Sequence, residues 1–262
     1  MFALSLESRA GTYALYAANN VFFPLIAAVL SGLQRGAVYA DSAEAPRQVY
    51  VEHAFGFAQL LGEAVPGFEA ELQQYLLINK AFAAPKVRLY TPLLPAFHDC
   101  ESMQAVRAER QRFFLRAEVY ADVRTRLLSR SVPDFAVLPV TTETVDRVES
   151  AFGLVSRFWP DVTSFVAHAR AQVICHAGEP AAICYAAALE NGKAEVDILT
   201  RPEYRGKGLA MMAAVRFVDD CLAHGVEPLW DCFTNNAGSM ALRERLGFLD
   251  CAAPYEFFTI AR

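Results

Sequence analysis

Apolar positions along this chain follow two rhythms, one of about 3.6 residues and one of two, and the switches between them mark the elements. Residues 1–35 read as helical, with Tyr13, Leu15, Val21, Phe22, Leu25, Ile26 and Val29 supplying an apolar surface broad enough to be core. Gly36–Asp41 reads as a strand, Asp41–Pro46 as a turn, and Gln48–Phe57 as a second strand, antiparallel to the first if the turn closes a hairpin. Gly62–Gly67 is loop, Phe68–Asn79 a helix with Leu72, Tyr75, Leu76 and Ile78 as its apolar positions, and Val87–Tyr90 a further strand. The prolines of Pro92–Cys100 predict loop. Ser102–Arg112, rich in Arg, Glu and Ala, reads as a solvated helix; Phe113–Tyr120 fits helix or strand, and Val123–Ser129 ends the first half.

Ser131-Val132-Pro133-Asp134 is the expected boundary, dividing the chain into residues 1–130 and 131–262. Beyond it Phe135–Pro139 reads as a strand, Glu143–Phe158 as a helix and Ser164–Arg170 as a short helix. Gln172–His176, Ala181–Leu189 and Ala194–Leu199 read as three strands, and Glu190-Asn191-Gly192 between the last two is a strong hairpin signal. A helix follows from Gly208 to about His224. Met211, Val215, Val218 and Leu222 fall on one face of it, Ala210, Ala214, Phe217 and Cys221 widen that face, and Gly225 ends it. Leu229–Thr234 and Tyr255–Ile260 complete the strands, so the chain is α/β with a mixed sheet.

The chemistry concentrates where the third of those strands runs into that helix. Arg205-Gly206-Lys207-Gly208-Leu209-Ala210 is a glycine-bearing turn that opens a helix. Its glycines admit unusual dihedrals and close approach by a ligand. The first amides of a helix lack partners inside it and the dipole there favours negative charge, so the turn is an anion cradle flanked by the cations Arg205 and Lys207. It is not a dinucleotide fingerprint, because Met211 stands where the third glycine belongs. Nor is it a nucleoside-triphosphate loop, because Gly208 rather than Ser or Thr follows Lys207.

Composition narrows the partners. Hydrophobic residues make up 54% and charged residues 20%, which supports a large core and argues against disorder. The net charge of −5 carries no long run of one sign, so nucleic acid is not an expected partner. The six cysteines form no Cys-x-x-Cys pair and no cluster with histidine; buried thiols are expected, and no metal. His168, His176 and His224 read as surface or capping histidines, and His53 as core or edge. The apolar run Val21–Leu30 contains Pro24 and is too short to span a bilayer, which leaves a buried helix in a soluble, cytoplasmic protein with no membrane partner.

Arg205-x-x-Gly208-x-Ala210 resembles the pyrophosphate loop of the acyl-CoA-dependent GNAT N-acyltransferases. The flanks extend the likeness over about 55 residues: Pro202 two residues after the strand, the amphipathic helix, the strand at Leu229–Thr234, Asn236-x-x-Ser239-x-x-Leu242 and Leu246-Gly247-Phe248. Trp230-Asp231-Cys232 ahead of Asn236 is similar to the GNAT group named for zwittermicin resistance, in which a degenerate GNAT-like N-terminal half precedes the CoA-binding half. The resemblance implies a GNAT fold in residues 131–262, with a sheet splayed between Ala194–Leu199 and Leu229–Thr234, and a GNAT-like part without a CoA loop in 1–130. It implies acetyl-CoA as co-substrate, bound by the amides of Arg205, Gly206, Lys207, Gly208, Leu209 and Ala210, by the backbone of Ile198, Leu199 and Thr200, and by Asn236 and Ser239. The reaction it implies is direct acetyl transfer to the amine of a small polar molecule, an antibiotic or a metabolite.

Such a transfer needs a base to free the attacking amine. Alternation puts Glu195 and Asp197 on one face of their strand, where carboxylates are costly unless solvated, paired or functional. Glu195 falls about where many GNATs carry their base, and equally at a hairpin end in water. Asp197 lies deeper, and Asp231 faces it from the next strand. Many GNATs follow the Leu at position 242 with a Tyr that protonates the departing thiolate. Arginine, found here at 243, is a poor proton donor. Tyr204 and Tyr255 are candidate substitutes that read first as packing. Arg243 also keeps open a second reading, a catalytically weak or inactive GNAT-fold module that holds CoA and reports to a partner protein.

Overall fold

Turn chemistry and burial break the chain into more strands than its apolar rhythm alone predicts. The computed structural model describes residues 1–17, 22–90, 94–128 and 134–262. In chain order the elements are β1 (Phe2–Ala3), α1 (Ala10–Ala17), α2 (Pro24–Ser31), β2 (Gly36–Ala40), β3 (Gln48–His53), β4 (Phe57–Gly62), α3 (Pro66–Gln73), β5 (Lys86–Tyr90), α4 (Glu101–Gln104) and β6 (Arg107–Leu115). There follow α5 (Ala117–Leu128), β7 (Phe135–Pro139), α6 (Val145–Phe152), α7 (Val155–Phe158), α8 (Val162–His168), β8 (Gln172–His176), β9 (Glu179–Glu190) and β10 (Lys193–Thr200). The last elements are α9 (Leu209–Ala223), β11 (Glu227–Phe233), α10 (Ala237–Leu246), β12 (Phe248–Cys251) and β13 (Tyr255–Ala261). Two compact units result, Met1–Arg110 with Pro254–Arg262, and Gln111–Ala253. Of the expected boundary Ser131-Val132-Pro133-Asp134, only Asp134 is among the described residues.

In the first unit the strand order is β1-β2-β3-β4-β5-β13-β6. Neighbours are antiparallel except β4 and β5, whose parallel ladder covers only Phe57–Arg88, Ala58–Leu89 and Gln59–Tyr90. The single strand expected over Gln48–Phe57 is two, because the chain turns at Ala54-Phe55-Gly56. Gly56 has φ +86 and a Cβ there would sit 2.0 Å from the Lys86 carbonyl oxygen, so only glycine fits. The apolar Ala54-Phe55 hides that turn from a pattern reading. Tyr255–Ala261 is a strand as expected, but it pairs with β5 and the first residues of β6 in this unit. α2 is buried from Pro24 to Leu30.

Two buried polar side chains in this unit give predictions. Glu52, 5% exposed, accepts hydrogen bonds at Oε2 from the hydroxyls of Tyr50 (2.8 Å) and Tyr75 (3.2 Å). Burial pushes its pKa above the ordinary glutamate range, and the two donors pull it only part of the way back. A carboxyl group raised in the folded state contributes stability that is present below its unfolded pKa and is lost as pH rises through the folded one. Glu52→Gln, which keeps an acceptor for both phenols, is therefore expected to gain on the wild type between pH 4.5 and pH 8 in urea unfolding. Gln59 is fully buried, and among the described residues neither of its amide atoms has a hydrogen-bond partner. Gln59→Leu removes two desolvated polar atoms and is expected to raise stability by about 1–3 kcal/mol in the same assay.

In the second unit β7, β8, β9 and β10 are antiparallel in that order, β10 pairs parallel with β11, β11 neighbours β6, and β12 pairs with β6 at Phe113, Phe114 and Leu115. Both units thus use one connectivity: three antiparallel strands, a helix, and a parallel fourth strand. The region expected as a solvated helix, Ser102–Arg112, is helical only over Glu101–Gln104 and then becomes β6. Helix propensity lost there to sheet pairing and to ion pairs made by Arg112. Glu143–Phe158 breaks into α6 and α7 at Gly153. The β9–β10 hairpin turns on Asn191 (φ +50) and Gly192 (φ +68), as its sequence predicts.

α9 covers this sheet with Leu209, Ala213, Ala214, Phe217, Val218 and Cys221 buried. Leu222, expected on that face, is 46% exposed, so the apolar stripe is centred on the 213, 217, 221 row. α5 is tied to α9 by the Tyr120 hydroxyl, which donates to the Val215 carbonyl and to Asp219, both at 2.8 Å. Among the described residues no helix is long and apolar enough to cross a membrane.

Candidate active site

The parallel pair at the centre of the second unit parts almost at once. β10 and β11 are paired at Lys193–Glu227, Ala194–Pro228 and Glu195–Leu229, and there the ladder stops. Pro228 has no N–H to give it, and a register shift against β9 falls at Glu195/Val196, a place of increased twist. From Val196 to Thr200, β10 stays paired with β9 alone of these two neighbours. A slot therefore opens beside Ile198, Leu199 and Thr200, and its far wall is the rest of β11.

At the end of β10 the chain passes through a short turn at Pro202–Tyr204 into the loop Arg205–Gly208. Gly206 (φ +76) and Gly208 (φ +80) are left-handed, and no atom lies within 4 Å of where either Cβ would be. The glycines serve the dihedrals and an open approach from solvent. Gly208 caps α9, and the first N–H to enter the helical ladder is that of Met212, bonded to the Gly208 carbonyl at 3.2 Å. The amides ahead of it have no acceptor within the helix. Arg205 and Lys207 are exposed, with Arg205 Nε donating to the Thr200 carbonyl at 3.4 Å and Lys207 Nζ 5.2 Å over the Tyr204 ring. Next to the loop lies an open groove of about 740 Å³ between α5, the start of α9 and α10, with Val123, Leu127 and Met211 among its apolar walls and Arg126, Lys207 and Arg245 on its rim.

Asn236 and Ser239 are both present at the start of α10, already engaged with each other. Asn236 caps the helix by accepting the Ser239 N–H at 3.2 Å, and the Ser239 hydroxyl accepts from Trp230 Nε1 at 2.9 Å. Arg243 lies 4.1 Å over the Phe113 ring and donates to the Phe248 carbonyl at 3.2 Å, so it is fixed as a packing cation. The Tyr204 hydroxyl is 3.4 Å from His176 Nδ1, and Tyr255 packs on Phe23 and Tyr90 in the first unit.

The acidic face of β10 is more connected than its sequence reveals. Glu195 is 6% exposed and its Oε2 is 3.6 Å from Arg112 Nη2. Arg112 Nε is in turn 3.5 Å from Asp231 Oδ2, so Asp231 meets Glu195 through a guanidinium. Asp197 accepts hydrogen bonds from the Tyr185 hydroxyl at Oδ2 and from the Ile198 N–H at Oδ1 (2.9 Å), which fixes its rotamer. Burial, followed by the neighbouring Asp197, pushes the Tyr185 pKa well up, so this phenol is a neutral donor. Arg112 and Tyr185 were invisible to sequence reasoning: the first sits in a charged run, the second in an apolar strand. Among the described residues no group of three metal-ligating side chains occurs.

The second unit thus carries a mixed sheet whose parallel pair parts after three residues, with a two-glycine loop and a helix N-terminus at the end of the slot. The chain belongs to the GNAT acetyltransferase family, whose pattern matches residues 19–258. It is similar to the uncharacterized N-acetyltransferase YdfB of Bacillus subtilis (strain 168), 34% identical over 119 residues that cover 45% of this chain and 46% of that relative. In fold it resembles a GCN5-related N-acetyltransferase-like protein from Streptococcus suis, with a TM-score of 0.74, 19% identity, and 98% and 99% of the two chains covered. A putative GNAT-family acetyltransferase from Novosphingobium aromaticivorans aligns with a TM-score of 0.52 at 20% identity, over 83% of this chain and 89% of that one.

Proposed function

We propose that this chain is an N-acetyltransferase that moves the acetyl group of acetyl-CoA to the amine of a small polar molecule, and that its second unit carries the site. The observation behind this reading is the three-pair ladder between β10 and β11 with the loop Arg205–Ala210 at its open end. Family membership supports the acyl-transfer chemistry. The residues present suit acetyl-CoA. The amides from Gly206 to Ala210 and the charges of Arg205 and Lys207 fit a pyrophosphate, the half-buried β10 edge from Ile198 to Thr200, not laddered with β11, fits an amide-bearing arm, and we assign Asn236 and Ser239 at the start of α10 to its other side.

Acetyl-CoA supplies an activated thioester, and no covalent bond to the protein is required. The protein's part is to orient that thioester along β10 and to take a proton from the attacking ammonium at Glu195 or Asp197. The resemblance to the zwittermicin-resistance group suggests an antibiotic or metabolite amine as acceptor. Thiol release from acetyl-CoA, followed across a panel of polar amines, tests the reading. An amine-dependent rate supports it; a folded protein that binds acetyl-CoA and transfers to none of them overturns it in favour of a CoA-binding module.

A further inference from the structure

The ion pairs of Arg112 lie where the sheet opens, and that placement has a consequence for the proposed reaction. Arg112 is on β6, Asp231 on β11 and Glu195 on β10, three strands that lie side by side in that order. The side chains of Arg112, Asp231 and Glu195 are 6%, 0% and 8% exposed. Glu195 is the last residue of β10 in the ladder with β11, and Asp231 stands two residues past the ladder's end on β11. One guanidinium thus crosses from a strand outside the pair to a carboxylate on each of its members, at the level where backbone bonding between them ends. A planar fork suits this, since Nε and Nη2 leave the same group in different directions.

We infer that Arg112 is a positioning residue that fastens β10 to β11 at the mouth of the slot and holds Glu195 there as an oriented carboxylate. The inference rests on the reading of the slot as the acetyl-transfer site. Burial of Glu195 alone would favour its neutral form. The cation beside it opposes that, and keeps an anion available next to the acceptor amine. The other charged or titratable groups that act here are Asp231 on β11, Asp197 on β10, Tyr185 on β9 and Arg157 on α7, with Asp197 and Tyr185 bonded to each other and Arg157 acting on Tyr185. Arg112 is the cation that ion-pairs with Glu195 itself, at 3.6 Å, so its removal takes away the attraction that acts on that carboxylate directly.

The test reads Glu195 directly, without turnover. Carbon-13 resonances of carboxyl-labelled glutamate are followed against pH in the whole chain, with the Glu195 signal identified by its loss in Glu195→Gln. In Arg112→Met the Glu195 midpoint is expected to rise by more than about one pH unit, because an opposite charge within a few ångströms has been removed. Arg112→Lys, which cannot span both carboxylates, is expected to give a smaller rise and stands in if the methionine variant does not fold. An unmoved midpoint in both variants overturns the inference. With an active wild type, the acid limb of kcat/KM in each variant should move with the midpoint while acetyl-CoA affinity measured by calorimetry holds; an acid limb that stays put while the midpoint moves also overturns the positioning role. A wild type inactive on every amine would sink the proposed function instead, and the titration would then decide the state of Glu195 on its own.

Discussion

Acetyl-CoA binding is expected to fall by at least about 100-fold when Arg205 is changed to Glu together with Gly208 to Trp. Charge-assisted hydrogen bonds contribute about 1.5–3 kcal/mol each, and 1.4 kcal/mol is a factor of ten in affinity. Arg205→Glu replaces attraction for a pyrophosphate with repulsion at the positive end of α9. Gly208 is left-handed and open to solvent, with φ +80 and nothing within 4 Å of its would-be Cβ. A tryptophan there meets no protein atom at its Cβ, yet it strains the backbone and fills the approach a ligand would use. Calorimetry of wild type and variant with acetyl-CoA measures the effect, and an unchanged melting temperature checks the fold. Binding that survives the double change would move the nucleotide away from this loop and take the acyl-transfer reading with it. The single variants then apportion the loss: a drop carried wholly by Gly208→Trp would mean that shape, not charge, governs the site.

That loop was legible in the sequence because every part of it is local. Arg205, Gly206, Lys207 and Gly208 lie within four residues, the strand before and the helix after show their own periods, and the Asn191-Gly192 turn fixes the strand's register. What failed to show was non-local. Arg112 sits in Arg107-Ala-Glu-Arg-Gln-Arg, a run that helix propensity and charge both favour as solvated surface, and its partners are 83 and 119 residues away. No local rule announces that a cation will be buried when the carboxylates that justify it come from other strands. Tyr185 is the same case: in the apolar run of β9 it reads as core, and only the register opposite Asp197 shows that its hydroxyl has work to do. The β3–β4 turn was missed for the opposite reason, since Ala54-Phe55 continues an apolar run across a reversal that Gly56 alone makes possible.

Glu195→Gln and Asp197→Asn are each expected to lower kcat by about 100-fold or more, with acetyl-CoA affinity within a factor of two of the wild type. General-base assistance is worth roughly 100- to 10,000-fold, and neither side chain belongs to the loop that would hold the nucleotide. The two carboxylates differ in a way that lets the pair of variants choose between them. Glu195 is 6% exposed and leans on Arg112, whereas Asp197 is half-buried and spends one oxygen on Tyr185 and the other on the Ile198 amide. An asparagine at 197 has only one acceptor oxygen for those two donors, so it loses placement as well as charge. Asp197→Glu restores the charge but shifts it by a methylene. A rate recovered in that variant points to Asp197 as the proton acceptor itself, and a rate that stays low points to a role in placing the β10 edge at Ile198, where the proposed reading puts the thioester. If Glu195→Gln keeps full turnover while Asp197→Asn loses it, Glu195 is a strut of the splayed pair and the base lies one turn of the pleat further along the strand.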